Sequence, residues 1–391
     1  MNSATLIYAN APDGLARLPD RCVQTVVTSP PYWKLRDYNT PDQMGQEPTL
    51  VEYLENMVAF FGQVRRVLRD DGTMWINMGD SYKTRDLKGV DLREKNLIGV
   101  PWRLALALQD DGWILRSDII WHKPTAMPQS MKDRPTPAHE YLFLFAKRPR
   151  YFYDAYSIRT PAKGLRRPRP ANWAESGVHR ATEHSRRQRK ERGAAREHQG
   201  FTQDWDNRSH NEQVAKGANK RDVWTIAAQG YKGAHFATFP EALVEPCILA
   251  GSSSQCCPTC GAARKRDTRT LFTPQQDVSP EHSTREEGQH DPSNRWQGTT
   301  RGTTVHIVET DIMLPTCTCI HTPPLVGRYQ PEERQWVLDP FFGSGTVGVV
   351  ALRHQRNVIG IDNNLDYLRM AEQRIMAENP LFRSINWEYV K

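Results

Sequence analysis

The sequence predicts a layered α/β fold, on two observations. Strand-length apolar runs alternate with segments whose apolar residues recur every three to four positions. Two of those strands also end in turn motifs, Thr28-Ser29-Pro30-Pro31-Tyr32-Trp33 and Asp339-Pro340-Phe341-Phe342-Gly343-Ser344-Gly345-Thr346. Val23-Gln24-Thr25-Val26-Val27 reads as a buried strand that brings Ser29 to its carboxyl edge, where open α/β sheets bind ligands. Residues 53–68 place Leu54, Met57, Val58, Phe61, Val64, Val67 and Leu68 at helical spacing, and Asp70-Asp71-Gly72 then reads as a turn into a strand over 73–78. The pattern recurs as a helix over 102–108, a turn at Asp110-Asp111-Gly112 and a strand over 113–121, with a further short strand over 141–146. It returns at 223–226 and in a helix over 241–249. The last block, 336–377, reads strand, turn, helix over 347–352, strand over 357–361, helix.

The 391 residues suffice for one large α/β domain with insertions, and two stretches break the alternation. Residues 161–222 hold only six large apolar residues (Leu165, Trp173, Val178, Phe201, Trp205, Val214), too few to offset the entropy of ordering the chain. Residues 161–200 alone carry 11 Lys+Arg against 4 Asp+Glu, an excess equal to the net charge of +7 of the whole chain. So concentrated a charge reads better as a contact to a polyanion such as DNA, mainly through phosphates, than as general solubility. The second break, 251–322, is polar and bears cysteines. No run of about 18 apolar residues occurs, and the first residues lack the basic and apolar regions of a signal peptide, so the expected location is the cytoplasm, with no membrane partner.

The first turn motif suits a particular chemical problem. An exocyclic amine on a nucleobase is a poor nucleophile because its lone pair is delocalised into the ring. Ser29 Oγ and the Pro30 carbonyl can accept its two hydrogens, the fixed φ of Pro30 and Pro31 orients the backbone beforehand, and Tyr32 can stack on a flipped base. The second motif runs from strand through a glycine turn into a helix, so backbone at Phe341, Gly343, Ser344, Gly345 and Thr346 can approach a nucleotide-like ligand. Asp362 follows the next strand at close to the ~20-residue spacing at which a carboxylate meets ribose hydroxyls, and Asp339 would oppose a cationic group. The competing reading is a plain tight turn, with Asp362 capping the helix that begins near Asn364.

Together with Gly99-Val100-Pro101-Trp102, Arg116-Ser117-Asp118-Ile119-Ile120-Trp121-His122-Lys123-Pro124, Lys132-Asp133-Arg134-Pro135, His139-Glu140-Tyr141 and His235-Phe236-Ala237-Thr238-Phe239-Pro240, these motifs resemble the β-group DNA amino-methyltransferases over most of the chain. The resemblance implies a Rossmann-like, S-adenosylmethionine-dependent methyltransferase sheet, circularly permuted so that the catalytic motif precedes the cofactor motif. It implies methyl transfer to the exocyclic amino nitrogen of a flipped base at a specific DNA site. Ser29, Pro30, Pro31 and Tyr32 would be catalytic, and Asp339, Phe341, Gly343, Ser344, Gly345, Thr346 and Asp362 would bind the cofactor. Residues 1–160 would form the catalytic half, 161–222 the target-recognition segment, 223–250 a return whose helix completes the cofactor pocket, 251–325 a cysteine-rich insertion and 326–391 the cofactor half. Serine at the head of the first motif resembles the cytosine-N4 enzymes more than the adenine-N6 enzymes, which stay the alternative. A DNA-binding protein without catalysis, needing neither Ser29 nor Asp339, is the alternative of another class. The family usually opens with Gly-Asp where this chain has Ala9-Asn10, which removes an acidic contact. A cognate restriction endonuclease would fit as partner; the recognition sequence and the oligomeric state, a homodimer included, are not legible.

Five of seven cysteines lie at 256, 257, 260, 317 and 319, too clustered for a secreted disulfide framework. Cys257-Pro258-Thr259-Cys260-Gly261 has the form of a metal knuckle and Cys317-Thr318-Cys319 supplies a second pair, so the four thiolates Cys257, Cys260, Cys317 and Cys319 are expected to hold structural zinc, with Cys256 and His321 as spare ligands. Methyl transfer to an amine needs no Lewis acid, so the metal is not expected to be catalytic. Cys22, upstream of the first motif and outside any Pro-Cys context, reads as a packing residue.

Overall fold

The computed structural model describes residues 3–37, 43–160, 218–228, 239–274, 303–319, 334–378 and 385–390. The expectations placed on residues 161–217, on His235-Phe236-Ala237-Thr238 and on His321 lie outside the described residues. Contacts divide the chain into a larger unit, Met1–Arg159 with Asn219–Lys265 and Pro315–Lys391, and a smaller one, Thr160–Ala218 with Arg266–Leu314.

The larger unit is built on one sheet. Its strands are β1 (Ala4–Tyr8), β2 (Val23–Thr28), β3 (Leu68–Met78), β4 (Ile114–His122), β5 (His139–Ala146), β6 (Val223–Thr225), β9 (Trp336–Asp339), β10 (Asn357–Asp362) and β11 (Ile385–Tyr389), in the order β11-β1-β10-β9-β2-β3-β5-β4-β6. Strands β11 to β3 run parallel, β5 is antiparallel to both β3 and β4, and β6 is parallel to β4. Every residue of β2 is buried, as an interior strand covered on both faces requires. Its polar members are paired: Thr25 Oγ1 lies 3.0 Å from Thr73 Oγ1, and Gln24 Oε1 accepts from Gln335 Nε2 at 2.8 Å.

Six helices among the described residues cover the sheet: α1 (Ala11–Ala16), α2 (Leu50–Val67), α3 (Val100–Asp110), α4 (Glu241–Gly251), α5 (Thr346–Arg353) and α6 (Leu365–Glu378). The start of α2 is set by a capping box, in which Thr49 Oγ1 accepts from Glu52 N at 3.2 Å and Thr49 N donates back to Glu52 Oε2. Its buried stripe of Leu50, Tyr53, Met57, Phe60, Phe61, Val64 and Val67 follows the helical period and packs on one side of the sheet with α1 and α3. Helices α4, α5 and α6 fill the other side. Alternation along the strands feeds both cores: Ile7, Val26, Ile76 and Leu338 face the first, while Leu6, Val27, Trp75 and Val337 face the second.

Three features differ from the sequence expectation. Asp70-Asp71-Gly72 is not a turn, because β3 already starts at Leu68, and the three residues form an irregularity where pairing with β2 shifts between Val23 and Thr25. A side chain at Gly72 would come within 2.8 Å of the Gln24 carbonyl, so only glycine fits that register shift. The sequence reading also passed over β1, α1 and β11. Within 251–322, β7 (Arg264–Pro274) and β8 (Thr303–Pro315) pair as a separate two-stranded sheet where no regular structure was expected.

Candidate active site

The carboxyl ends of β1, β10, β9 and β2 are neighbours, and the turns after them line an open cleft. Its walls include Asn10, Pro31, Met44, Phe341, Asp362 and Asn363. Asn10 Oδ1 also accepts from Asp13 N at 2.9 Å and so caps α1.

Asp339 ends β9 and is almost wholly buried. Thr28 Oγ1 on β2 donates to its Oδ1 at 2.7 Å and Phe341 N donates to the same oxygen at 3.1 Å. Burial pushes the Asp339 carboxyl up to about 7, and nearby Asp362 adds to the rise while the two donors hold it down. Asp362 accepts from Gly343 N at 2.7 Å and from Asn364 N at 2.8 Å; burial pushes its carboxyl up to about 6 against those two bonds. Asn364 is what caps α6, accepting from Asp366 N and Tyr367 N, so Asp362 is released from that role and faces the cleft.

The glycine turn between them is dictated sterically. Gly345 has φ +78, and a Cβ there would lie 2.6 Å from Ala371 Cβ. Gly343 has φ +50 with open space where a side chain would be. Phe341 packs against Phe60 of α2 with ring centroids 5.1 Å apart, presenting an aromatic wall to the cleft. Ser344 and Thr346 are not among the residues lining it: Arg374 donates to Ser344 Oγ at 2.9 Å and to Thr346 Oγ1 at 3.2 Å, and reaches Glu241 of α4 at 3.3 Å.

Ser29-Pro30-Pro31-Tyr32 follows β2 directly at the same edge. Ser29 Oγ lies 3.3 Å from Tyr32 Oη, which in turn donates toward Asn77 Oδ1 at 3.3 Å and Glu140 Oε2 at 3.1 Å. Asn77 Nδ2 donates to the same Glu140 oxygen at 3.1 Å, and Lys123 pairs with the other Glu140 oxygen. Burial, with the Glu140 charge beside it, pushes the Tyr32 phenol well above its usual value. Tyr53 Oη of α2 donates to the Pro31 carbonyl at 2.9 Å and pins the turn.

The DNA methylase family model, of N6/N4 type, matches residues 23–255 and 266–373. The Type II methyltransferase M.XycI of Xanthomonas campestris pv. cyanopsidis is 33% identical over 398 residues, covering 97% of this chain and 90% of that protein. M.SmaI of Serratia marcescens, also a Type II methyltransferase, is 31% identical over 395 residues, covering 96% and 92%. The chain belongs to the DNA methylase family. It is an S-adenosylmethionine-dependent DNA amino-methyltransferase. Its fold is that of the PvuII cytosine-N4-specific DNA methyltransferase, matched with a TM-score of 0.51 at 14% identity over 99% of this chain and 95% of that one.

Several residues around the candidate site carried no assigned role in the sequence reading. Lys123 and Glu140 stood inside blocks recognised by resemblance, but nothing in their spacing connects β4 and β5 to Tyr32. Asn77 read as an ordinary strand position, and Thr28 headed the first motif without a role of its own. Away from the cleft, the ligand atoms of Cys257, Cys260, Cys317 and Cys319 all lie within 4.8 Å of one another. Cys22 is half-buried and packs against the first core. No described helix is long and apolar enough to cross a membrane.

Proposed function

We propose that this methylase transfers a methyl group from S-adenosylmethionine to the N4 amino nitrogen of a cytosine flipped out of double-stranded DNA at a specific sequence. One observation carries the reading. The Ser29-Pro30-Pro31-Tyr32 turn shares one sheet edge with the cleft lined by Phe341 and Asp362, and the hydrogen bond from Thr28 to the buried Asp339 ties the two strands there.

The residues present suit the cofactor. Asp362 would accept from its ribose hydroxyls and Phe341 offers an apolar face to its adenine, both lining the cleft, while Asp339, buried one residue before the cleft wall at Pro340, would oppose its ammonium. Gly343 gives its N–H to Asp362, while Gly345, Ser344 and Thr346 hold the turn in shape. When bound, the cofactor supplies an electrophilic methyl on a sulfonium. Ser29 Oγ and the Pro30 carbonyl accept the amino hydrogens and localise the lone pair, while Tyr32 stacks on the base with its hydroxyl tethered by Asn77 and Glu140. As the new carbon–nitrogen bond forms, the amine must lose a proton. The chain from Ser29 Oγ through Tyr32 Oη to the Glu140 carboxylate gives that proton a path, and Lys123 balances the Glu140 charge.

Cytosine is preferred to adenine because Ser29, not aspartate, heads the motif. The order of motifs along the chain supports the circularly permuted reading, with 1–160 as catalytic half, 326–391 as cofactor half and the helix within 223–250 between them. The basic segment 161–222 is assigned to phosphate contacts. Kinship with Type II methyltransferases supports a cognate restriction endonuclease in a bacterial or phage-infected cytoplasm.

The test is incubation with labelled S-adenosylmethionine and mixed-sequence DNA, followed by nucleoside mass spectrometry. N4-methylcytosine is expected with the native protein and none with Ser29→Ala or Tyr32→Ala. N6-methyladenine without N4-methylcytosine would overturn the choice of base, and no label in DNA would overturn the enzyme.

A further inference from the structure

The cysteine cluster takes no part in the chemistry above, yet it is built. Cys257 Sγ accepts two backbone hydrogen bonds, from Thr259 N at 3.3 Å and Cys260 N at 3.4 Å. The loop closes as Gly261, at φ +68, donates to the Cys257 carbonyl at 2.8 Å while Cys257 N donates to Ala262 O at 2.9 Å. Amides turned onto a sulfur favour its thiolate, and a tight loop with a left-handed glycine after the second cysteine brings two such sulfurs to one point. The other two come from far along the chain. Thr316 Oγ1 donates to the Ala263 carbonyl at 2.6 Å and seats Cys317 and Cys319 against the loop. Four sulfurs within 4.8 Å of one another leave room for one tetrahedral ion, whose sulfurs would sit about 3.8 Å apart at a Zn–S distance of about 2.3 Å.

We propose that Cys257, Cys260, Cys317 and Cys319 bind one structural zinc ion, which fastens both ends of the insertion 261–316 to the amino edge of the main sheet. The choice of metal follows from the ligands. Four thiolates without imidazole or carboxylate suit a soft, closed tetrahedral site and exclude magnesium or calcium. The position follows from three hydrogen bonds. Arg69, near the start of β3, donates to the Cys260 carbonyl at 2.8 Å. Gln335, just before β9, donates to the Gly261 carbonyl at 3.2 Å and also to Gln24 near the start of β2. Gln24 and Gln335 mark the amino ends of β2 and β9, whose carboxyl ends carry Ser29 and Asp339, so the ion would sit at the opposite end of these strands from the reacting atoms. The Arg69 guanidinium brings positive charge toward a site that four thiolates leave net negative. Closing residues 261–316 into a fixed loop removes chain entropy from the unfolded state, which is where the metal would contribute stability.

The full-length protein, purified reduced and without chelators, is the material to test. Elemental analysis should find about one zinc per chain, and titration with an organomercurial should release it in step with four thiols as read by a metallochromic dye. Cobalt replacing the zinc should give the visible bands of a tetrahedral thiolate site. Cys260→Ser, at the exposed ligand, should bind metal at least about tenfold more weakly, whereas Cys22→Ser and Cys247→Ser should keep full loading. Should Cys260→Ser fail to fold, Cys319→Ser makes the same test from the other pair. Metal removal should lower the melting temperature while the affinity for S-adenosylhomocysteine changes less than about twofold. Protein that takes up no zinc when it is supplied, that holds iron instead, or that keeps full loading after loss of Cys260 or Cys319 would overturn the proposal.

Discussion

A buried carboxylate proposed to face the cofactor's ammonium would make affinity depend on pH, and its burial sets where. In the free protein Asp339 titrates near pH 7 because it is buried beside Asp362. A ligand ammonium favours the ionised form, so the bound state holds fewer protons and affinity must rise with pH, levelling off above 7. If only the ionised form binds, the fall from pH 8 to pH 6 is about tenfold, or about 1.4 kcal/mol, with Asp362 adding at most about a further twofold near pH 6. The same shift acts on the fold with the opposite sign. A carboxyl raised from its ordinary 3.8 to about 7 binds more protons folded than unfolded, so this group lowers the stability of the free protein as pH climbs through that window. Thermal stabilisation by ligand should therefore grow with pH. The assay is calorimetric titration with S-adenosylhomocysteine, which keeps the ammonium and lacks the sulfonium, between pH 6 and 8.5. Asp339→Asn should weaken binding at pH 8 by about 1.5–3 kcal/mol and flatten the pH dependence. A flat profile in the native protein, or an unchanged slope in the asparagine variant, would refute the assignment of Asp339.

Three further outcomes follow from the same geometry. Thr28→Val removes the hydroxyl that donates to Asp339 at 2.7 Å, which should raise the midpoint of the pH–affinity curve by about one unit, measured by the same titration. Glu140→Gln leaves Lys123 without its counter-charge and Tyr32 without a charged acceptor; single-turnover kinetics should show methyl transfer slowed about 10- to 100-fold with cofactor affinity unchanged, and equal losses in both would mean the pocket itself had collapsed. Gly345→Ala meets Ala371 at 2.6 Å in a left-handed conformation and should cost about 2–4 kcal/mol by denaturant unfolding, whereas Gly343→Ala, with open space, should cost about 1 kcal/mol; equal costs would contradict the packing.

The sheet was legible where local periodicity and burial agree. Strand β2 is apolar enough to read as interior, and Trp336–Asp339 runs into a glycine turn whose left-handed residues appear in the sequence as Gly343 and Gly345. The Asp70-Asp71-Gly72 irregularity was not, because its residues are those of a turn; what holds it in the strand is tertiary, with Asp70 paired to Lys147 and Arg148 beyond β5. Strand β11, Ile385–Tyr389, is an edge strand with only partial burial and so lacks a strong pattern. In the site, residues within the two motifs could be named because their chemistry is local. Asn77, Lys123 and Glu140 could not, since Asn77 and Glu140 meet Tyr32, and Lys123 meets Glu140, only after β5 has paired antiparallel with β3 and β4. The pairing of Cys257 and Cys260 with Cys317 and Cys319 was an inference from ligand type, and its geometry depends on the ends of a β-ribbon that the sequence reading missed.

The placement of the site has a topological cause. From β9 the chain passes through α5 on one face of the sheet to β10; from β2 it passes through α2 on the opposite face to β3 on the other side. The crossovers therefore diverge between β9 and β2, opening a crevice at their carboxyl ends, which is where ligands bind in open α/β sheets. Both motifs end the two strands that flank this divergence, so Thr28 and Asp339 stand within 2.7 Å although they lie near opposite ends of the chain. The crevice depends on which strands are neighbours and on which faces their helices cross, not on which strand the chain reaches first. An order that places the turn proposed to hold the amine before the turn proposed to hold the cofactor thus leaves both at the same crevice. The same argument explains why the cysteine knuckle can interrupt the chain before β9 without disturbing them: it enters at the amino edge, where neither crossover opens.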